Sequence, residues 1–246
     1  MPSDPYQDAI ARLTALGPLR VWSLLVTVFG DLAPNAALEG PTLSAIMAEI
    51  GIKPEASRVA LHRLRADGWI ISEKNGRTSR HRLSPKGRAD SDAARPRIYP
   101  DSFGVQAVQF ALMPNGHTPD SAHYAQVSPR LFVASAEAMP PEGALMLTAD
   151  QLPDWLETTI ETEALRAEYA ALHDALAHMR PPDADTLGPL RVAVLRVLIV
   201  HAWRRLVLRH PALPRALHSD QWRGHDCAAR VRTLLEHLPR PALTDI

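Results

Sequence analysis

An α+β protein, mostly helical, is what this sequence predicts. Apolar residues recur at helical spacing near both ends, short extended runs lie between them, and a basic segment carries Asn75-Gly76 between two brief extended stretches. The chain of 246 residues has room for one large domain or two to three small ones. Changes in composition divide it into residues 1–92, 93–154 and 155–246.

Taken in order, Val21, Trp22, Leu24, Leu25, Val28 and Phe29 share a helical face, and Gly30 is expected to close that helix. Pro41-Thr42 opens a second helix with Leu43, Ile46, Met47 and Ile50 on one side, ended by Gly51. Pro54 starts a third. Helix, short Gly-containing turn and helix is the helix-turn-helix arrangement, whose second member lies in the major groove of DNA. On that member Ser57, Ala60, Leu61 and Leu64 form the inward side, whereas Glu55, Arg58, Val59, His62 and Arg63 point outward with Arg65 at the margin. Trp69 to Ser72 and Ser79 to Leu83 then read as strands joined at Asn75-Gly76, a hairpin whose two turn residues are both expected at positive φ. A basic hairpin directly after a recognition helix is a wing.

The middle stretch is Pro-rich and Lys-poor, with extended candidates at Val105 to Met113, Arg130 to Ala134 and Ala144 to Thr148, read as a small α+β unit. From Leu152 onward the pattern is helical: Leu152 to Met179, Thr186 to His210 and Arg223 to Leu238, punctuated by Pro181-Pro182, Pro211 and Pro214.

Charge sharpens this outline. The chain has no formal net charge, yet Lys53 to Arg88 holds ten Lys or Arg against Glu55, Asp67 and Glu73, so that window is +7 and the remainder −7. Clustered cations are the footprint of a protein that meets a polyanion, because phosphates reward them through counterion release. The residues expected to contact DNA are Ser57, Arg58, Val59, His62, Arg63 and Arg65 on the helix, and Lys74, Asn75, Arg77, Arg80 and Arg82 on the hairpin. Arg65 could equally pair with Asp67 or a helix end, and Trp69 is expected to pack in the core.

The single cysteine, Cys227, can form no intrachain disulfide, which fits a reducing compartment. Asp4 and Asp8 occupy an N-terminus with no apolar run of signal-peptide length, and the most hydrophobic stretch, Val192 to Leu208, is broken by Arg196, Arg204 and Arg205. A cytoplasmic location without a membrane role is the expectation. His218, His225 and Cys227 match no zinc spacing, so no metal or other cofactor is expected. No nucleophile elbow, phosphate loop or dinucleotide fingerprint is present, and Asp150, Asp154, Glu157 and Glu161 read as helix charge patterning. The chain is not expected to be an enzyme.

Two sets of residues resemble the PaaX-like family of transcriptional repressors. The first runs from Ser23 to Asp31, through Gly51-Ile52 and Arg58 to Trp69, to Gly76-Arg77-Thr78-Ser79 and Leu83-Ser84-Pro85-Lys86-Gly87. The second comprises His201-Ala202-Trp203-Arg204-Arg205, then Pro211-Ala212-Leu213-Pro214 and Trp222-Arg223-Gly224. The resemblance implies an N-terminal winged helix and a ferredoxin-like or Cas2-like middle unit that supports homodimerisation. It also implies a helical C-terminal effector-response domain and a coenzyme A thioester, such as phenylacetyl-CoA, that releases an inverted-repeat operator in a phenylacetate-type catabolic operon. The middle stretch departs from the family pattern: it lacks the Trp-Arg start and the glycine-rich strand. His201, Arg204 and Arg205 are then either structural anchors or a phosphate clamp for the acyl-CoA effector. Two alternatives stand beside this reading: a metal-dependent nuclease using the Cas2-like unit, with Asp101 at the wrong end of a weak strand pattern, and a basic adaptor for an acidic protein.

Overall fold

In the computed structural model the described residues are 4–99, 107–180 and 184–246. Asp101 and the start of the Val105 to Met113 stretch lie outside them, as does Pro181-Pro182.

Helix α1 (Pro5–Ala15) opens the fold, capped by the Asp4 side chain, which accepts from the Tyr6 amide at 3.0 Å. Sequence reading passed over this helix. Its signal was there in Tyr6, Ala9, Ile10 and Leu13, which sit at helical spacing and are all buried. Helix α2 (Val21–Leu32) runs past Gly30 rather than stopping there. The glycine serves close packing instead, since a Cβ at Gly30 would stand 3.0 Å from Ser91 Oγ on a later helix. Running on by two residues carries Asp31 to the inner side of the helix.

Strand β1 (Leu38–Glu39), helix α3 (Gly40–Glu49) and helix α4 (Pro54–Ala66) follow, and then β2 (Ile70–Asn75) and β3 (Thr78–Leu83) form the hairpin. The three strands lie in the antiparallel order β1-β3-β2. Asn75 pairs with Thr78, so the two turn residues are Gly76 and Arg77, not Asn75 and Gly76. Only Gly76 has positive φ (61°), which corrects the expectation of two such residues: a loop with glycine first needs just that one. Helix α5 (Pro85–Ile98), capped by Ser84 Oγ accepting from Gly87 N at 3.0 Å, continues straight across the 92/93 division.

The middle stretch holds β4 (Val108–Leu112), β5 (Ala125–Gln126), β6 (Leu131–Ser135) and β7 (Leu145–Leu147), ordered β5-β6-β4-β7 with every pairing antiparallel. No helix lies among described residues 107–154, so the expected α+β unit is a plain antiparallel sheet there. Helical cover reaches it from farther along the chain: Phe110 and Val133 pack with Leu156 and Leu217.

Helices α6 (Trp155–Ile160), α7 (Glu163–Ala177), α8 (Ala184–Leu187), α9 (Pro189–Val207) and α10 (Gly224–His237), with a 3₁₀ turn at Arg215–Leu217, complete the chain. Helix α9 is apolar almost all round, and residues from Val192 to Leu206 are buried on several sides. One apolar cluster joins Leu24, Leu25 and Phe29 of α2 to Val197, Leu198 and Trp203 of α9 and Val231 of α10. Each such side chain contributes about 1.5–3 kcal/mol of burial. The first and third stretches of the chain therefore share a core. Among the described residues, no helix is long and apolar enough to cross a membrane.

Candidate nucleic-acid interface

Helix α4 presents its cations because its apolar residues are spent on the opposite side. Ala60 and Leu64 are buried, Leu61 is half-buried, and Arg58, Val59, His62, Arg63 and Arg65 are exposed. Val59, at 71% exposed, is an apolar side chain held out in water among basic neighbours. Ser57 corrects the expected set, since its hydroxyl is buried and turned to the core on the same stripe as Ala60 and Leu64. It cannot reach a duplex without the helix turning.

Several guanidinium groups have carboxylate neighbours. Arg58 Nη2 lies 2.7 Å from Glu55, Arg63 Nε 3.6 Å from Asp67, Arg80 Nε 2.7 Å from Glu39 and Arg82 Nη2 3.0 Å from Glu73. All four pairs are well exposed, where such a pair contributes about 0–1 kcal/mol and a phosphate can displace the carboxylate. Asp67 is thus partnered by Arg63, not Arg65. Arg65 instead adds its charge beside His81, whose pKa is lowered first by burial and then by Arg65. The neutral His81 ring meets Ser72 Oγ at 2.8 Å and braces the two hairpin strands. Lys74 and Arg77, near the hairpin tip, form no ion pair among the described residues. The side chain of Asn75 is outside the described part of the structure.

Beside the exposed stripe runs an open groove of about 650 Å³ between the start of α2 and α4, lined by Arg20, Trp22, Val59 and Arg63 among others. The Arg63 guanidinium stands 6.0 Å from the centre of the Trp22 ring, which itself packs edge-on to the half-buried Trp69. Arg20 and Trp22 were not anticipated as neighbours of the exposed side of α4. The signal for them was their place at the start of a helix that packs across α4.

The second candidate set behaves differently. His201 is buried, with Nδ1 3.1 Å from Thr27 Oγ1. Its pKa falls to about 3, first through burial and then through Arg204 and Arg205. Arg204 donates to the Ser23 carbonyl and to Thr27 Oγ1, both at 3.1 Å. Arg205 turns toward Gly17, between α1 and α2. His201 and Arg204 fasten α9 to α2 at Thr27, while Arg205 faces the turn at Gly17, so the three do not converge on one cavity. The cleft beside Arg204, also lined by Asp31, Asp90 and Tyr99, measures about 40 Å³, room for about one water and not for a coenzyme A thioester.

Glu161 corrects another expectation. It is no solvated helix charge: 2% exposed, it meets His218 Nδ1 at 2.9 Å and accepts from the Ser219 amide at 2.9 Å and Ser219 Oγ at 2.7 Å. His218 stacks flat on Trp222, ring centres 4.4 Å apart. Cys227 is buried, and burial pushes its thiol up to about 12, so it stays a protonated core residue. No group of three or more His, Cys, Asp or Glu suited to a metal ion occurs among the described residues.

A protein with a paired helix-turn-helix and hairpin carrying exposed cations, docked on a buried C-terminal helix, is the class these features define. The chain matches the PaaX-like protein family over residues 20–87 and the PaaX-like protein C-terminal domain over residues 160–244, and it belongs to that family. It is 24% identical over 245 aligned residues to the transcriptional repressor PaaX of Escherichia coli (strain K12), an alignment covering 85% of this chain and 77% of that protein. In three dimensions it is similar to an uncharacterized protein from Mycobacterium tuberculosis, with a TM-score of 0.57 and 19% identity, over 88% of this chain and 94% of the other. That second likeness concerns the fold alone.

Proposed function

We propose that this protein is a transcriptional repressor rather than an enzyme, binding double-stranded operator DNA as a homodimer through α4 and the β2–β3 hairpin. The observation that carries this reading is the exposed stripe of Arg58, Val59, His62, Arg63 and Arg65, together with the exposed cations Lys74 and Arg77 near the hairpin tip. Arg forks suit guanine edges and phosphates, a Val methyl suits a thymine methyl, and hairpin cations suit the flanking backbone. The groove lined by Arg20 and Trp22 leaves space for a sugar–phosphate strand alongside. The E. coli relative's name as a repressor supports the regulatory direction.

Two-fold symmetry follows from reading an inverted repeat. In support of a second copy pairing there, β7 is an edge strand of the middle sheet with Leu145 and Leu147 exposed, and Met139 and Trp155, also exposed, flank it in sequence. An edge without charge in Leu145-Met146-Leu147 invites pairing with a second copy. The family resemblance supplies the effector class, a coenzyme A thioester of the phenylacetyl kind. By its differential affinity such an effector shifts the dimer toward a geometry whose α4 helices no longer match the half-sites.

Gel-shift titration on the promoter of the protein's own locus, with and without phenylacetyl-CoA, tests the reading. Expected is a saturable complex that competitor DNA of scrambled sequence does not displace and that the thioester dissolves. Absence of any sequence-selective complex contradicts it. A Leu145→Glu/Leu147→Glu double variant is expected to elute as a monomer.

A further inference from the structure

The geometry points to Asp31 as a positioning residue: we propose that its buried carboxylate fixes the angle at which α4 and the hairpin leave the C-terminal helices, and so sets whether they fit a duplex. This inference rests on the DNA-binding reading above. Asp31, 1% exposed near the end of α2, accepts from Arg196 Nε at 3.1 Å and from Arg196 Nη2 at 2.9 Å. The Tyr99 hydroxyl donates to it at 2.8 Å, and the Arg240 guanidinium stands 3.6 Å away. Arg196 itself, on α9, sends Nη1 to the carbonyls of Leu235 and Leu238 at the end of α10, at 3.2 and 2.5 Å. One carboxylate thereby ties together α2, the residue that ends α5, the middle of α9 and the close of α10.

The chemistry explains why this matters more for direction than for adhesion. Apolar contacts between α2 and α9 permit sliding, whereas a two-pronged fork on a carboxylate accepts one orientation. Exchanging a buried ion pair for apolar groups of similar volume is often neutral or favourable for stability, while removing one partner leaves an uncompensated charge. The pair's distinctive contribution is therefore geometric. Helix α4 packs on α2, so the setting of α2 is the setting of the reading stripe. The other polar ties between α9 and α2, Arg204 to Ser23 and Thr27 and His201 to Thr27, lie one to two turns of α9 farther on, so without Asp31 the polar anchors on α2 are confined to Ser23 and Thr27.

The test compares full-length wild type, Asp31→Asn, Arg196→Met and the double variant Asp31→Leu/Arg196→Met for thermal midpoint and for affinity to a duplex from the protein's own promoter, over a range of salt. Both single variants are expected to lower the midpoint and to weaken duplex binding about tenfold. The double variant is expected to regain part of the midpoint, because the Leu238 carbonyl and the Tyr99 hydroxyl still lose their partners, and none of the affinity, with the salt slope unchanged because the reading-face cations are intact. Affinity returning together with the midpoint overturns the proposal, as does wild-type affinity in Asp31→Asn, the variant closest in shape should the double one not fold. If wild type binds no duplex, the DNA-binding reading itself fails. Amide exchange then decides the positioning role: faster exchange in Asp31→Asn at α2 and at the end of α10 together supports it, and unchanged exchange overturns it.

Discussion

The Arg58 guanidinium stands 2.7 Å from the Glu55 carboxylate one turn earlier on α4, with 72% and 71% of the two side chains exposed. A pair so open to water is a resting contact, not an anchor.

Exchanging that contact for DNA is therefore inexpensive, and removing the carboxylate is expected to help. Glu55→Gln should tighten duplex binding, most visibly for non-specific sequences, by taking a negative charge off the reading face. Arg58→Ala and Arg63→Ala should each cost about 1–3 kcal/mol of operator binding where the fork reads a base. Their thermal midpoints should barely move. Anisotropy titrations beside thermal melts check both halves, and a variant that lost stability and affinity in proportion would speak against the assignment.

Gly87 makes a separate point about how the hairpin is supported. It sits in the first turn of α5, where a Cβ would collide with the Trp69 backbone carbonyl, a group held in place by its bond from Ser84 N at 2.9 Å. Gly87→Ala should thus displace β2 from α5 and lower the midpoint, against the ~1 kcal/mol that a helix ordinarily gains when Ala replaces Gly. Thermal melts beside Gly116→Ala, whose Cβ would meet nothing within 4 Å but whose φ of 78° is left-handed, set the collision at Gly87 against backbone strain alone.

His201 gives the interface between α2 and α9 a pH dependence. An exposed imidazole titrates at 6.5, while burial and then Arg204 and Arg205 bring His201 down to about 3. Between those values the unfolded chain holds a proton that the folded one refuses, so stability is full above about 6.5 and falls as the pH drops toward 3. His218, lowered to about 4 by burial against the opposing pull of Glu161, acts with the same sign. Melts between pH 7 and 4.5 should show a falling midpoint, with a shallower slope in His201→Gln. An equal slope in that variant would assign the effect elsewhere.

Much of the N-terminal half was legible because its signals are local. Pro54, the stripe of Ala60 and Leu64, and the glycine at 76 each declare an element within a few residues. The site's outward cations followed from the same helical geometry. What escaped was whatever depends on distant partners. Asp31 reads as a polar residue after a glycine, and only α9 laid across α2 makes it a buried hub. Glu161 reads as solvated until the loop carrying His218 and Ser219 folds over it. Ser57 shows how a sound face assignment is spoiled by including the one residue that the same periodicity turns inward. The middle sheet was visible as extended runs, but its order, with β4 between β6 and β7, is set by long-range pairing that no local pattern encodes.

The most direct test of the central claim, that the cations of α4 and the hairpin meet a duplex together, is the salt dependence of binding to a promoter fragment and to an unrelated duplex. Wild-type affinity is expected to fall linearly on a logarithmic scale of salt, and Lys74→Ala and Arg77→Ala should each weaken both complexes while flattening that slope by about one. Affinity indifferent to salt, or a slope unchanged when both hairpin cations are gone, would contradict the account.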